Sequence, residues 1–192
     1  MHAFIKTVML FLFVLIPLNS FSADNSILPI SIRGDISNPR QWSVEQLKAQ
    51  FADQIMQVKF KDPLSSWKEK TGSGVPLYSL IKEAEPKLEI ITKWTQRDRG
   101  DAKTHTHMLF IVILEAEGDS FRAVFSLAEL MAEFRATQVY LVWDKDGEPL
   151  SDKDGPMRLV VLNDKQPDRE IYGISSITIV DCDKLARQLK AR

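Results

Sequence analysis

Apolar residues recur along this chain with two periods, and the switches between them divide it into elements. Val44, Leu47 and Phe51 stand three and four apart, the spacing of one helix face. Ser43 precedes them, with Glu45 and Gln46 just inside, so a capping box is expected on a helix over 44–51. In Ile55-Met-Gln-Val-Lys-Phe60 apolar and polar positions alternate, which predicts a strand with one wet face. Ile27–Arg33 reads as an earlier strand, with Pro29 marking an edge. Gly34–Pro39, between them, is turn-rich.

Residues 61–74 are polar and interrupted by Pro63, Gly72 and Gly74, so a loop is expected there. Pro76 then sits in the first turn of a helix running to about Ala84, and Leu88–Ile91 reads as a short strand. Met108–Leu114 is the most apolar run after the first 23 residues, and its length and β-branched content predict a strand covered on both faces. Phe121–Phe125 reads as its hairpin partner across Glu117-Gly118-Asp119. Ser126, with Glu129 three residues on, predicts a capped helix over Leu127–Phe134. Gln138–Val142, Met157–Leu162 and Ser175–Val180 read as strands, Asp144–Gly147 as a turn, and Asp181–Arg192 as a terminal helix. Strands outnumber helices and come partly in hairpins. That predicts one α+β domain over residues 24–192, with mixed β-sheets and short helices.

The first 23 residues follow a different pattern. Lys6 and the amino terminus are positive, Thr7–Ile16 is apolar, Pro17 ends the run, and small or polar residues follow to Ala23. This is the order of a cleavable secretory signal. The apolar run is about ten residues long, short of the roughly 20 that a helical span requires. A signal peptide over 1–23 is therefore expected, with a periplasmic or secreted product and no membrane span after cleavage. Cleavage removes one cation from the 25 Lys+Arg and none of the 26 Asp+Glu, leaving a net charge of −2. Such a balance argues against a nucleic-acid partner, which calls for a strong basic excess. Cys182 is the single cysteine, so no internal disulfide forms, and zinc or iron–sulfur sites built on several thiolates are excluded. Neither usual glycine-rich phosphate loop nor a nucleophile elbow is present.

Four segments together carry a family likeness. They are Ile32-Arg-Gly34 with Asn38-Pro39 and Trp42-Ser-Val-Glu-Gln-Leu47; Gly74-Val-Pro-Leu-Tyr-Ser-Leu-Ile81; Phe121-Arg-Ala-Val-Phe-Ser-Leu-Ala-Glu-Leu130; and Asp146-Gly-Glu-Pro-Leu150 with Gly155-Pro-Met-Arg-Leu-Val-Val161, Asn163-Asp-Lys165 and Ser176-Ile-Thr-Ile-Val180. In this order they resemble the molybdopterin-binding domain of the sulfite-oxidase family, above all its small exported members. The resemblance covers nearly all of 27–181. It implies a sulfite-oxidase-like molybdopterin-binding fold, molybdopterin as cofactor, and oxidation or reduction of small oxo-compounds at molybdenum.

That chemistry uses one protein thiolate on the metal, a soft ligand matched to it. The resemblance puts the thiolate about a dozen residues before Gly74, within Phe60-Lys-Asp-Pro-Leu-Ser65, where this chain has Asp62 and no cysteine. Cys182 lies beyond the last strand. Asp62 is an oxygen donor in principle, and in the bland reading it is a loop aspartate before proline.

The resemblance also assigns pterin and phosphate binding to the region of Arg158, Asn163, Lys165 and Arg169. Cations and amides suit a phosphate by charge and hydrogen bonding, while ordinary surface charge is the plainer account. Arg158 stands between apolar neighbours on a strand, so its charge requires a partner or a route to solvent. It is either a ligand donor or a structural ion-pair partner. Thr104-His-Thr-His107 offers two imidazoles for a transition metal, without an obvious third ligand. Of Trp42, Trp67, Trp94 and Trp143, Trp67 stands in a polar stretch and is best placed to line a cleft. Asp144–Asp154 lacks the ligand spacing of a calcium loop.

Two functions remain open. One is a binding or accessory protein that has lost metal chemistry and takes a small anionic or pterin-like ligand, or a periplasmic protein partner. The other is a molybdopterin-dependent oxidoreductase acting on a small oxo-compound. The missing thiolate favours the first, with no cofactor held.

Overall fold

The computed structural model describes residues 29–88, 106–118, 121–134, 137–162 and 164–191. The signal segment, the strand expected near Leu88–Ile91, Trp94, His105 and Asn163 fall wholly or largely outside these residues. A five-stranded sheet runs in the order β2 (Arg40–Trp42), β1 (Ile30–Gly34), β11 (Ile174–Asp181), β5 (Phe110–Ala116), β6 (Arg122–Ser126). β1 and β11 are parallel and the other pairs antiparallel, so the sheet is mixed. A four-stranded antiparallel sheet runs β10 (Arg158–Val161), β7 (Val139–Val142), β4 (Lys68–Pro76), β3 (Met56–Asp62). A two-strand hairpin of β8 (Asp144–Lys145) and β9 (Glu148–Pro149) follows β7.

One apolar core joins the two sheets to helices α1 (Val44–Gln50) and α2 (Leu77–Ala84). Phe110, Val112 and Leu114 enter it from β5, Leu141 and Leu159 from the second sheet, and Leu47, Leu80 and Ile81 from the helices. Each such side chain contributes about 1.5–3 kcal/mol by leaving water. Helix α1 starts as its pattern predicts. The Ser43 hydroxyl accepts from the Gln46 amide, and the Gln46 side chain accepts from the Ser43 amide. A terminal helix α3 (Cys182–Lys190) is capped by Asp181, whose carboxylate accepts from the amides of Asp183 and Lys184.

The structure revises several expectations. The polar stretch 61–74 is not a loop. β3 runs on to Asp62, a turn of 3₁₀ helix occupies Pro63–Ser65, and Lys68–Pro76 is the longest strand described. Its polar residues lie near the sheet edge, where Lys59 meets Glu69 at 3.8 Å. Val75 and Pro76 end that strand, and α2 begins only at Leu77. β5 buries one face and half-exposes the other through Ile111 and Ile113. Ser126 pairs with Ile111 at the end of β6 instead of capping a helix, and only the 3₁₀ turn Ala128–Leu130 follows. His107 lies in another 3₁₀ turn, Thr106–Leu109.

The second sheet curls until its outer strands meet. Val58 and Phe60 of β3 pack with Tyr140, Val142 and Val160 in a separate small core. Gly72 makes room for the curl. A Cβ there would stand 2.5 Å from a Val142 methyl and 2.6 Å from the Asp144 carbonyl oxygen.

Candidate functional site

The curl brings β10 against the end of β3, although the two are not neighbours in the sheet. Arg158, fully buried at 0% exposure, reaches from β10 into the contact. Its Nη1 donates to Asp62 Oδ1 at 3.1 Å and lies 3.7 Å from Asp154 Oδ1. Its Nη2 donates to Glu170 Oε2 at 2.8 Å and to the Tyr172 hydroxyl at 3.3 Å. The guanidinium carbon sits 4.8 Å from the centre of the Phe60 ring and 4.4 Å from that of Tyr172, so two aromatic rings flank the cation. Lys145 joins from β8, with Nζ 3.1 Å from Asp62 Oδ2 and 3.3 Å from Asp154 Oδ2.

Local chain geometry holds these groups in place. Gly155 adopts φ +69°, and a Cβ on it would stand 2.4 Å from Gly173 Cα. That close crossing sets Asp154 beside the segment carrying Glu170 and Tyr172, and the Gly173 amide donates to the Asp154 carbonyl at 2.7 Å. A backbone bridge then pairs Arg158 with Tyr172.

Asp62 is also fully buried, and four donors saturate its carboxylate. Oδ1 accepts from the Leu64 amide and Arg158, and Oδ2 from the Ser65 hydroxyl and Lys145. Burial alone would raise its pKa. The hydrogen bonds from Ser65, Arg158 and Lys145, with the charge of Arg158, outweigh burial and hold it at about 2. Glu170 goes the other way, because burial lifts its carboxyl above the usual range despite Arg158. Burial would lower the Lys145 pKa, but its bonds to Asp62 and Asp154 raise it. Asp154 Oδ1 and Arg158 Nε are buried without a hydrogen-bond partner, so geometry within the cluster is not fully satisfied.

Of the four residues expected to hold a ligand, the three that are described do not converge on one opening. Arg158 spends its terminal nitrogens on protein groups. Arg169 is bidentate to Asp164 at 2.7 Å and 2.7 Å, reaches Glu129 at 3.1 Å, and lies 4.5 Å from the Phe125 ring centre. Asn163 lies outside the described residues. Of the three described, only Lys165 lines an open groove of about 390 Å³, between the β3–β4 hairpin and the loop after β10.

Trp67 lines the same groove, 54% exposed, as its polar surroundings in the sequence indicate. Ser66 and Trp67 both have left-handed backbone, at φ 56° and 62°. For residues with a Cβ this costs roughly 1–2 kcal/mol each. The hairpin sustains it with bonds from the Ser66 amide to the Pro63 carbonyl and from the Trp67 amide to the Asp62 carbonyl. A second cleft, of about 590 Å³, lies between α1 and the β8–β9 hairpin. Trp143 forms part of its wall, with Lys48 Nζ 5.6 Å from the ring centre, and Glu45, Asp144 and Asp152 make its rim acidic. Among the described residues, no group of three or more His, Cys, Asp and Glu side chains is arranged to hold a metal ion.

No protein-family model matches the sequence, and no curated protein matches it. The architecture is similar to that in the crystal structure of the sulfane dehydrogenase SoxCD from Paracoccus pantotrophus, with a TM-score of 0.56. The two are 18% identical, and the match covers 80% of this chain and 38% of that chain. The chain has a SoxCD-like α+β fold. It spans under two fifths of the SoxCD chain it matches, and at this identity the likeness concerns architecture, not activity.

Proposed function

We propose that this chain is an exported, sulfite-oxidase-like domain that binds a small anionic or pterin-like ligand in an accessory role and performs no molybdenum chemistry itself. One observation carries the reading. The position from which the resemblance would supply a metal-bound thiolate is Asp62, whose two oxygens are buried and taken by four donors. A carboxylate so engaged has to abandon Arg158 or Lys145 before it can ligate anything, and an uncompensated buried cation is costly. The single thiol, Cys182, stands at the start of α3, after the last strand of the other sheet. The residues present therefore do not suit a thiolate-held metal. The SoxCD-like architecture supports the sulfite-oxidase-like part of the reading, and the amino-terminal pattern supports export.

The test is the protein purified from its native host. Elemental analysis is expected to find no stoichiometric molybdenum, and sulfite is expected not to be oxidised. Near one molybdenum per chain would overturn the reading and make Asp62 a ligand candidate.

A further inference from the structure

We propose that the groove beside Trp67 binds a planar aromatic ring bearing an anionic group, the ring on the indole and the anion between Lys61 and Lys165. This rests on the binding reading above and names the ligand class. Three observations point to it.

The first is the indole. Trp42 and Trp143 are buried, as large aromatics usually are, while Trp67 is more than half exposed on a hairpin whose left-handed backbone turns it toward the groove wall. Its ring offers a stacking surface that the fold itself leaves uncovered, and aromatic pairs prefer offset or edge contact over such a face.

The second is charge. Three lysines and three acids line the groove, but the acids are already engaged. Asp164 holds Arg169 in a bidentate pair, Glu170 is buried against Arg158, and Glu69 lies 3.8 Å from Lys59. Lys61 and Lys165 have no ion-pair partner among the described residues. The charge left for a ligand is positive, in a chain whose overall balance is slightly acidic. The acidic rim of the larger cleft by α1 does not suit an anion.

The third is size. About 390 Å³ is at the small end of the range for ligand pockets, and a one- or two-ring molecule fits it. A phosphate, a sulfonate or a carboxylate would satisfy the lysines alike, since each presents several acceptor oxygens to an ammonium group.

The experiment uses the protein as isolated, with phenyl phosphate, inorganic phosphate and phenol as probes in calorimetric titrations at low and high salt. Phenyl phosphate is expected to bind in the roughly millimolar range, about tenfold better than phosphate or phenol alone, and more weakly at high salt. Trp67→Ala is expected to lose about tenfold, with Trp67→Phe staying within about threefold of the parent. Lys61→Ala and Lys165→Ala are each expected to lose about threefold or more and to flatten the salt dependence. These side chains are exposed, and unchanged melting temperatures will show that each variant folds. Phenyl phosphate binding no better than phosphate, equal affinity in Trp67→Ala, or no binding at all would overturn the proposal. Molybdenum measured on the same preparation separates the two readings: a metal-free protein that ignores phenyl phosphate removes only the groove ligand, while stoichiometric molybdenum removes the binding reading beneath it.

Discussion

Replacing Arg158 with methionine tests the architecture of the buried cluster. The variant keeps most of the side-chain volume and loses the guanidinium, so Glu170 has no cation at 2.8 Å and Asp62 keeps only Lys145 among its cationic partners. Breaking a buried pair by removing one partner costs roughly 3–5 kcal/mol, because the remaining charge stays out of water. In a domain of this size each kcal/mol lowers Tm by about 2–4 °C, so a drop of roughly 6–20 °C is expected at pH 7. The effect also has a pH signature. Burial already raises the Glu170 pKa, and losing Arg158 raises it further, so this carboxyl takes up a proton as the pH falls and its cost disappears. The gap between parent and variant should therefore narrow from about pH 7 to about pH 5. Thermal melts followed by circular dichroism at several pH values read both quantities. A drop below about 2 °C at pH 7, or a gap independent of pH, would show that Arg158 does not hold the cluster together.

Three further outcomes are expected. The Asp62 pKa is lowered from 3.8 to about 2, so its stabilisation is complete above the unfolded value and is lost as the pH falls through the folded one. That contribution is about 2 kcal/mol, and Asp62→Asn should remove this part of the acid-side slope in melts between about pH 4 and pH 2. Gly72→Ala puts a Cβ against Val142 and the Asp144 carbonyl, and is expected to destabilise the domain by roughly 1–3 kcal/mol in urea denaturation with little change in the slope m. Intact-mass measurement of exported protein is expected to find the chain beginning at Ala23 or Asp24; retention of residues 1–22 would refute the signal reading.

What could be read from the sequence was what depends on neighbours in the chain. The Ser43–Gln46 capping box closes over four residues, and α1 begins where that pattern places it. The same kind of pattern failed at Ser126, because pairing of β6 with β5 claimed that residue first. Strand β4 was hidden by Gly72 and Gly74, which read locally as loop signals. Their small size answers a tertiary demand, the close approach of Val142, Leu141 and Asp144 across the sheet.

Arg158 shows the same divide within the site. Its place among apolar strand residues already required a partner, but the partners stand 96 residues back at Asp62 and 12 residues on at Glu170, and no local spacing selects them. Asp62 is the sharper case. The resemblance puts it where a metal-bound thiolate is expected, which leaves open both an oxygen ligand and a plain loop aspartate. The decision comes from burial. A lone ionised carboxylate in that position would be strongly destabilising, whereas one met by Arg158, Lys145, Ser65 and a backbone amide is a tie between β3 and β10. The carboxylate and its cations are buried together, so removing either side leaves an uncompensated charge out of water. The binding proposed for this chain is therefore tested away from that buried tie, at the exposed side chains of Trp67, Lys61 and Lys165 that line the neighbouring groove.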